Sequence, residues 1–264
     1  MTLEQAQAIR LAAFIAGLAF FLAAELVNPY RTPSVSKKRR WVRNLLLTGV
    51  NNVVLALALR GLVFAVAIHA TANELGLLHA WELPAWFRIA ATIILMDLFL
   101  WVWHLLNHLV PLLWRFHRVH HADMNMDVST ATRFHIGELA ASVPLKMGVA
   151  YAIGANPWGI ILFEGLVVLT TQFHHSSLKA PEWFEKFWWI LFVPPSMHRI
   201  HHSVVIKERD SNYGVIFSVW DRTMGTLVRN VNQDRIRIGM GAYRDHDRLG
   251  VRDLLKMPFT PPVR

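Results

Sequence analysis

At 264 residues the chain is long enough for one substantial domain or two small ones, and 54% of it is hydrophobic against 17% charged, well short of the usual quarter charged for a soluble domain. The net charge of +9 invites a nucleic-acid partner, but the basic residues flank apolar runs or sit in the C-terminal third, so no nucleic acid is expected and anionic lipid is the nearer partner. With no cysteine, disulfides and thiolate metal sites are excluded.

Five apolar runs follow in chain order, at about 11–29, 44–70, 87–109, 139–154 and 157–173, where a membrane span needs roughly 20 residues. The opening "MTLEQAQAIR" carries no net charge, which argues against a cleaved signal peptide, since that needs a basic leader. The basic stretch Arg31–Arg43 reads as a flank that stays on the cytoplasmic side. Arg60 interrupts the second run, as a functional pair or a snorkelling group in equal measure. The third run carries Asp97, two helical turns before His104, which suggests a carboxylate orienting a ligand imidazole. The last two runs read as a helical hairpin turned by "GANPWG" at 154–159. Beyond them, Pro181–Pro195, rich in Trp and Phe, suits an amphipathic segment lying at the membrane interface. The expected fold is an all-α integral membrane bundle of four to five membrane-embedded helices with a cytoplasmic, histidine-rich helical cap. Its regions are an anchor (1–86), a catalytic domain (87–228) and a basic tail (229–264).

Of fourteen histidines, most cluster. His104 and His108 form HxxxH; His117, His120 and His121 form HxxHH; His198, His201 and His202 repeat it 81 residues on; His135 and the pair His174–His175 lie between. Residues at i, i+3 and i+4 share one helix face, so each HxxHH is expected to aim three imidazoles the same way. Eight imidazoles from these motifs, plus one or two of His135 and His175, exceed what one ion holds at four to six ligands, so two metal ions are implied. A donor set rich in nitrogen and without thiolate suits iron better than zinc, which remains a substitute. Iron beside apolar helices suggests oxygen activation on a lipid chain.

Taken in order, "DLFLWVWHLLNH" (Asp97–His108), "WRFHRVHH" (Trp114–His121), "RFHIGE" (Arg133–Glu138), "FHHSS" (Phe173–Ser177), "PPSMHRIHHS" (Pro194–Ser203), "NYG" (Asn212–Gly214) and "WDRTMGT" (Trp220–Thr226) resemble the motifs of the fatty acid hydroxylase and sterol desaturase superfamily. The resemblance covers about half the chain. It implies an integral membrane di-iron enzyme that uses O2 and external reductant on lipids. It carries ligand roles onto His104, His108, His117, His120, His121, His198, His201 and His202, and favours His135 and His175. Ile136, His174 and Ser177 depart from the family's Pro, Gln and Asn, which leaves His174 and His175 as alternatives; Leu105 stands where an Arg is common. Glu138 is expected to pair with Arg133 or support His135, Asn212 and Tyr213 to lie in a loop near the metals, and Asp221 and Arg222 to hold that loop. The expected partners are membrane lipid, a lipid or sterol-like substrate, O2, and a separate electron donor of cytochrome b5-like or ferredoxin-like type. A zinc-dependent membrane hydrolase and a non-catalytic metal carrier are the alternatives.

Overall fold

The computed structural model describes residues 2–59, 61–261 and 263, with 56–59 as backbone alone; Arg60, singled out above, lies outside the described residues. The longer helices are α1 (Leu3–Val27), α2 (Lys37–Leu59), α3 (Leu62–Ala72), α4 (Ala85–Leu109), α5 (Pro111–His121), α6 (Ile136–Ile153), α7 (Pro157–His175), α8 (Glu182–Trp188) and α9 (Pro195–His201). Among the described residues no strand forms, only isolated bridges such as Pro29 with Leu178. Four helical segments are long and apolar enough to cross a membrane: Leu3–Val27, Leu62–His79, Ala85–Leu109 and Ile136–Ile153. The chain is therefore an all-α membrane bundle. The run expected at 157–173 does form α7, but that helix carries Glu164, Gln172, His174 and His175 and is not one of the four.

Local sequence explains where the helices begin and turn. Thr2 caps α1 by accepting a hydrogen bond from the Gln5 amide at 3.2 Å, and Gln5 Oε1 accepts from the Thr2 amide at 2.9 Å, a reciprocal box that satisfies two otherwise orphaned donors. The "GANPWG" turn works as expected. Gly154 ends α6 at φ 66°, a left-handed conformation that glycine adopts without steric cost. Asn156 then caps α7 through the Trp158 amide at 2.9 Å, with Pro157 in the first turn.

Small residues let the spans approach. A side chain at Gly17 of α1 would collide with Gln172 of α7, and one at Gly159 of α7 would meet Thr92 of α4, the close backbone contact that membrane helices use in place of a hydrophobic drive. Away from that contact α1 leaves Leu11 59% and Phe20 65% exposed, as a lipid-facing surface requires. On the short α8, Trp183 and Phe187 are likewise exposed.

Two expectations need correction. The stretch Arg31–Arg43 is not simply a solvated flank. Arg40 is buried, bonding Asp123 at 2.6 and 2.7 Å and Asp127 at 2.5 Å, while Lys37 pairs with the buried Glu25 at 2.8 Å. Asp97 does not orient an imidazole. Its oxygens accept from the amides of Ile216 and Phe217 at 3.0 and 3.1 Å and from Trp220 Nε1 at 2.8 Å. A carboxylate buried in a span is offset here by three donors from a loop about 120 residues away. Asp221 does the matching work outside the span, accepting from the amides of Tyr213 and Gly214 at 2.8 and 2.7 Å, while Arg222 donates to the carbonyls of Trp189 and Ile190.

The polar tail does not stand apart. Met240, Leu249, Leu254 and Met257 share one buried cluster with Leu47, Trp114 and Val119, so the tail covers the back of α5.

Candidate metal centre

The ends of α4 and α7 meet α5 and α9 at one level of the bundle, and the imidazoles they carry sort into two groups. His104, His108, His117, His121 and His201 form the first; His120, His175, His198 and His202 form the second. Within each group one nitrogen per ring lies within 4.8 Å of all the others, and every member is buried. The groups adjoin, with the His121 and His202 rings stacked at 4.5 Å.

Each HxxHH is shared between the groups, against the expectation that it aims all three rings one way. His117 and His121 enter the first group and His120 the second; His198 and His202 enter the second and His201 the first. The reason is helical geometry. Successive residues on an α-helix are rotated by about 100°, so of i, i+3 and i+4 the last two diverge and only i and i+4 stack along one line. The two motifs exchange their odd member, which ties both centres to both helices.

Second partners set which ring nitrogen faces inward. The Nδ1 atom lies 2.8 Å from the Tyr213 carbonyl in His104, 3.2 Å from Asp210 Oδ1 in His108, and 2.9 Å from Glu138 Oε1 in His117. It lies 3.2 Å from the Arg133 carbonyl in His120, 2.7 Å from the Thr171 carbonyl in His175, and 2.7 Å from the Ser211 carbonyl in His201. Each acceptor requires Nδ1 to carry the proton, leaving Nε2 as a lone pair aimed at the centre. Burial first, and neighbouring imidazoles second, hold His120, His121, His198, His201 and His202 well below the ordinary histidine range. These rings are neutral at pH 7. Close by, burial alone would raise the Asp123 carboxyl, but the charge and hydrogen bonds of Arg40 outweigh it and hold that group well below the usual range.

The residues fit a metal pair. In the second group, Nε2 of His175 stands 3.1 Å from that of His120, 3.2 Å from that of His202 and 2.9 Å from that of His198. Neutral imidazole nitrogens gain little from one another at that separation. Nitrogens about 2.1 Å from a shared ion stand about 3.0 Å apart at right angles and about 3.4 Å apart in a tetrahedron. Nε2 of His104, His108 and His201 is buried with no hydrogen-bond partner, a cost that a bound cation removes. The first group also offers five nitrogens, one more than a tetrahedral zinc takes.

His135 is outside both groups. Its Nδ1 accepts from the Gly137 amide at 2.9 Å and caps α6, and its Nε2 lies 3.1 Å from the Leu255 carbonyl. Both nitrogens are thereby occupied, which corrects its expected placement among the ligands. Between the two candidates on α7, His175 enters the second group, while the His174 ring packs 4.1 Å from His198. Glu138 serves His117 rather than His135. Asn212 (φ 56°) and Tyr213 lie in the loop near the groups as expected, and Tyr213 contributes through its carbonyl. The Ser211, Thr171 and Arg133 carbonyls have no sequence signal, because a backbone acceptor has no residue identity to read; Asp210 acts through its side chain, but it lies 102 residues from His108 with no spacing to link the two.

Replacing Glu138 by leucine is expected to weaken the first group selectively. A lost carboxylate partner of a metal-binding histidine costs roughly 10- to 100-fold in affinity. Titration of the purified variant against a chelator should therefore show one weakened and one unaltered site. Equal weakening of both would contradict the assignment of Glu138 to one centre.

A cavity of about 240 Å³ runs from the two groups between α1, α4, α6 and α7, walled by Phe14, Leu100, Trp103, Phe134, Val167 and Val168 among others. Histidines of both groups, including His104, His117, His120 and His175, are part of its lining.

The profile of the fatty acid hydroxylase family matches residues 89–226, just over half the chain. An ornithine lipid hydroxylase of Rhizobium tropici is 30% identical over 155 residues, 56% of this chain and 45% of the relative. Human cholesterol 25-hydroxylase is 28% identical over 145 residues, 53% of this chain and 51% of the relative. An alkylglycerol monooxygenase of Xenopus tropicalis is 27% identical over 187 residues, 69% of this chain and 40% of the relative. The chain spans about half the length of the curated relatives it matches. No solved structure matches it significantly.

Proposed function

The chain belongs to the fatty acid hydroxylase family, and from that premise we propose that it is an O2-dependent, membrane-bound lipid hydroxylase or desaturase that holds two iron ions and takes electrons from a separate carrier. The observation that carries this reading is a pair of adjoining, nitrogen-only groups, members of both of which line a largely apolar cavity.

Iron bound there supplies the reductive activation of O2 that makes an unactivated C–H bond breakable. The chain's own residues do the rest. His104, His108, His117, His121 and His201 would hold one ion, and His120, His175, His198 and His202 the other. The carbonyls and carboxylates behind them fix each ring's tautomer and orientation, so no reorganisation is needed when a ligand arrives. Leu100, Trp103 and Phe134 line the path with apolar surface, which positions a hydrocarbon chain and keeps water from the reacting centre. Hydroxylase chemistry is favoured over desaturation because the similar proteins named above are hydroxylases and a monooxygenase.

Charge supports an orientation. The basic stretch Arg31–Arg43 is tied through Arg40 to Asp123, two residues past His121, and a basic flank of this kind favours a cap on the cytoplasmic side. There a soluble carrier of cytochrome b5-like or ferredoxin-like type has access to it.

The purified protein is expected to contain about two irons per chain and to consume O2 when given a reductant and membrane lipid. Lipid mass spectrometry of cells carrying the wild type or His120→Ala should show one oxidised species lost in the variant, naming the substrate. Full activity of zinc-only protein without O2 would overturn the reading.

A further inference from the structure

The cavity is not apolar throughout. Glu138, Ser142 and Lys146 line it at i, i+4 and i+8 of α6, so they form one stripe down the helix. Eight residues of helix rise about 12 Å, which places Lys146 well inside the bundle, away from the metal-binding end. Elsewhere the wall includes the apolar Phe14, Leu100 and Val167.

Lys146 is the single Lys or Arg among the described lining residues, and no described carboxylate lies within ion-pair distance of it. Glu164, which is near enough to act on it electrostatically, is instead bonded to Arg10 at 3.2 Å. An ammonium among membrane helices is costly unless it is paired or functional. Gln172, which also lines the cavity, turns its polar atoms elsewhere: its Nε2 donates to the Phe14 carbonyl at 3.0 Å and its Oε1 is packed against Gly17 of α1. An ammonium without a carboxylate partner in an apolar cavity is complementary to an acceptor oxygen of whatever fills it.

We propose that Lys146 is a specificity-determining residue that receives an acceptor oxygen, carboxylate or ester carbonyl, of the amphiphilic lipid occupying this cavity. The inference rests on the lipid-oxidising reading above and deepens it. Lys146 holds the polar end of the substrate and so sets which carbon of the apolar portion reaches the metals. It is a positioning residue, remote from the reacting atoms.

The test is equilibrium binding to purified wild-type protein of cis-parinaric acid, its methyl ester and the corresponding polyene hydrocarbon, followed by the probe's own fluorescence. Wild type is expected to bind at least one of the two oxygen-bearing probes about tenfold more tightly than the hydrocarbon. Preference for the acid over the ester identifies an anionic source, and equal preference a carbonyl. Lys146→Met should abolish the discrimination and Lys146→Arg should keep it. Lys146→Gln should keep binding of the ester alone, and it preserves a polar side chain should the methionine variant fold poorly. Wild type that treats the three probes alike, or Lys146→Met that retains the preference, overturns the proposal. Binding needs no O2 or turnover, and iron content is measured separately, so failure here leaves the oxygenase reading to its own test.

Discussion

Replacing His198 by alanine is expected to remove one of two bound metal ions and to lower lipid oxidation at least about a thousand-fold, equivalent to roughly 4 kcal/mol in the barrier. His198 belongs to the smaller group, where its Nε2 lies 2.9 Å from that of His175 and 3.1 Å from that of His202. Four nitrogens become three, and the ring lost is one that also braces its neighbours. The five-histidine group should keep its ion, so metal analysis should fall from two ions per chain toward one. His135→Ala provides the contrast. His135 caps α6 and reaches the Leu255 carbonyl, so its loss should cost about 1 kcal/mol of stability, as lost helix caps do, with metal content unchanged. Inductively coupled plasma analysis of both variants, with unfolding temperature measured in parallel, separates the two roles. Metal loss in His135→Ala with full retention in His198→Ala would mean that the two groups are wrongly drawn.

The two histidines differ in what a sequence can show of them. The HxxxH and HxxHH spacings point to helix faces carrying imidazoles, and nine of the ten expected ligands do converge. Spacing alone does not say which ring serves which ion, because the partition depends on how α5 and α9 are rotated about their axes when they pack. His135 falls outside both groups, and sequence does not show it because the same residue type caps a helix or binds a metal; its contacts with the Gly137 amide and the Leu255 carbonyl are those of a cap. The hairpin at 154–159 was readable because glycine, asparagine and proline each act on their own backbone. Asp97 shows the opposite case. Its two-turn offset from His104 is a true feature of α4, but its partners Ile216, Phe217 and Trp220 lie beyond all of α5 to α9. The polar network around Arg40 is hidden for the same reason, since six basic residues among the thirteen of Arg31–Arg43 look like a flank until two aspartates from after α5 are folded over one of them.

The Arg40 network yields the second large effect, on stability rather than chemistry. Arg40→Met is expected to destabilise the protein by about 3–5 kcal/mol, the cost of leaving buried charge uncompensated. Arg40 binds both oxygens of Asp123 through two parallel hydrogen bonds, reaches Asp127 through a third, and donates to Thr130 Oγ1 at 3.2 Å and to the Asn125 carbonyl. These contacts join the start of α2 to the segment that leaves His121, so the damage should extend to the metal centre through the position of α5. Lysine cannot repair it, since an ammonium lacks the planar fork that meets a carboxylate with two bonds; Arg40→Lys should recover only part of the loss. Asp123→Asn introduced into Arg40→Met should recover more. The amide keeps an acceptor for the Asn44 and Thr130 donors now bonded to Asp123 at 3.2 and 2.9 Å, while removing the charge that has lost its partner. Unfolding temperatures of the four proteins, measured in one detergent, decide the matter. A double variant no more stable than Arg40→Met would show that packing of the guanidinium, rather than compensation of buried charge, holds α2 to the cap.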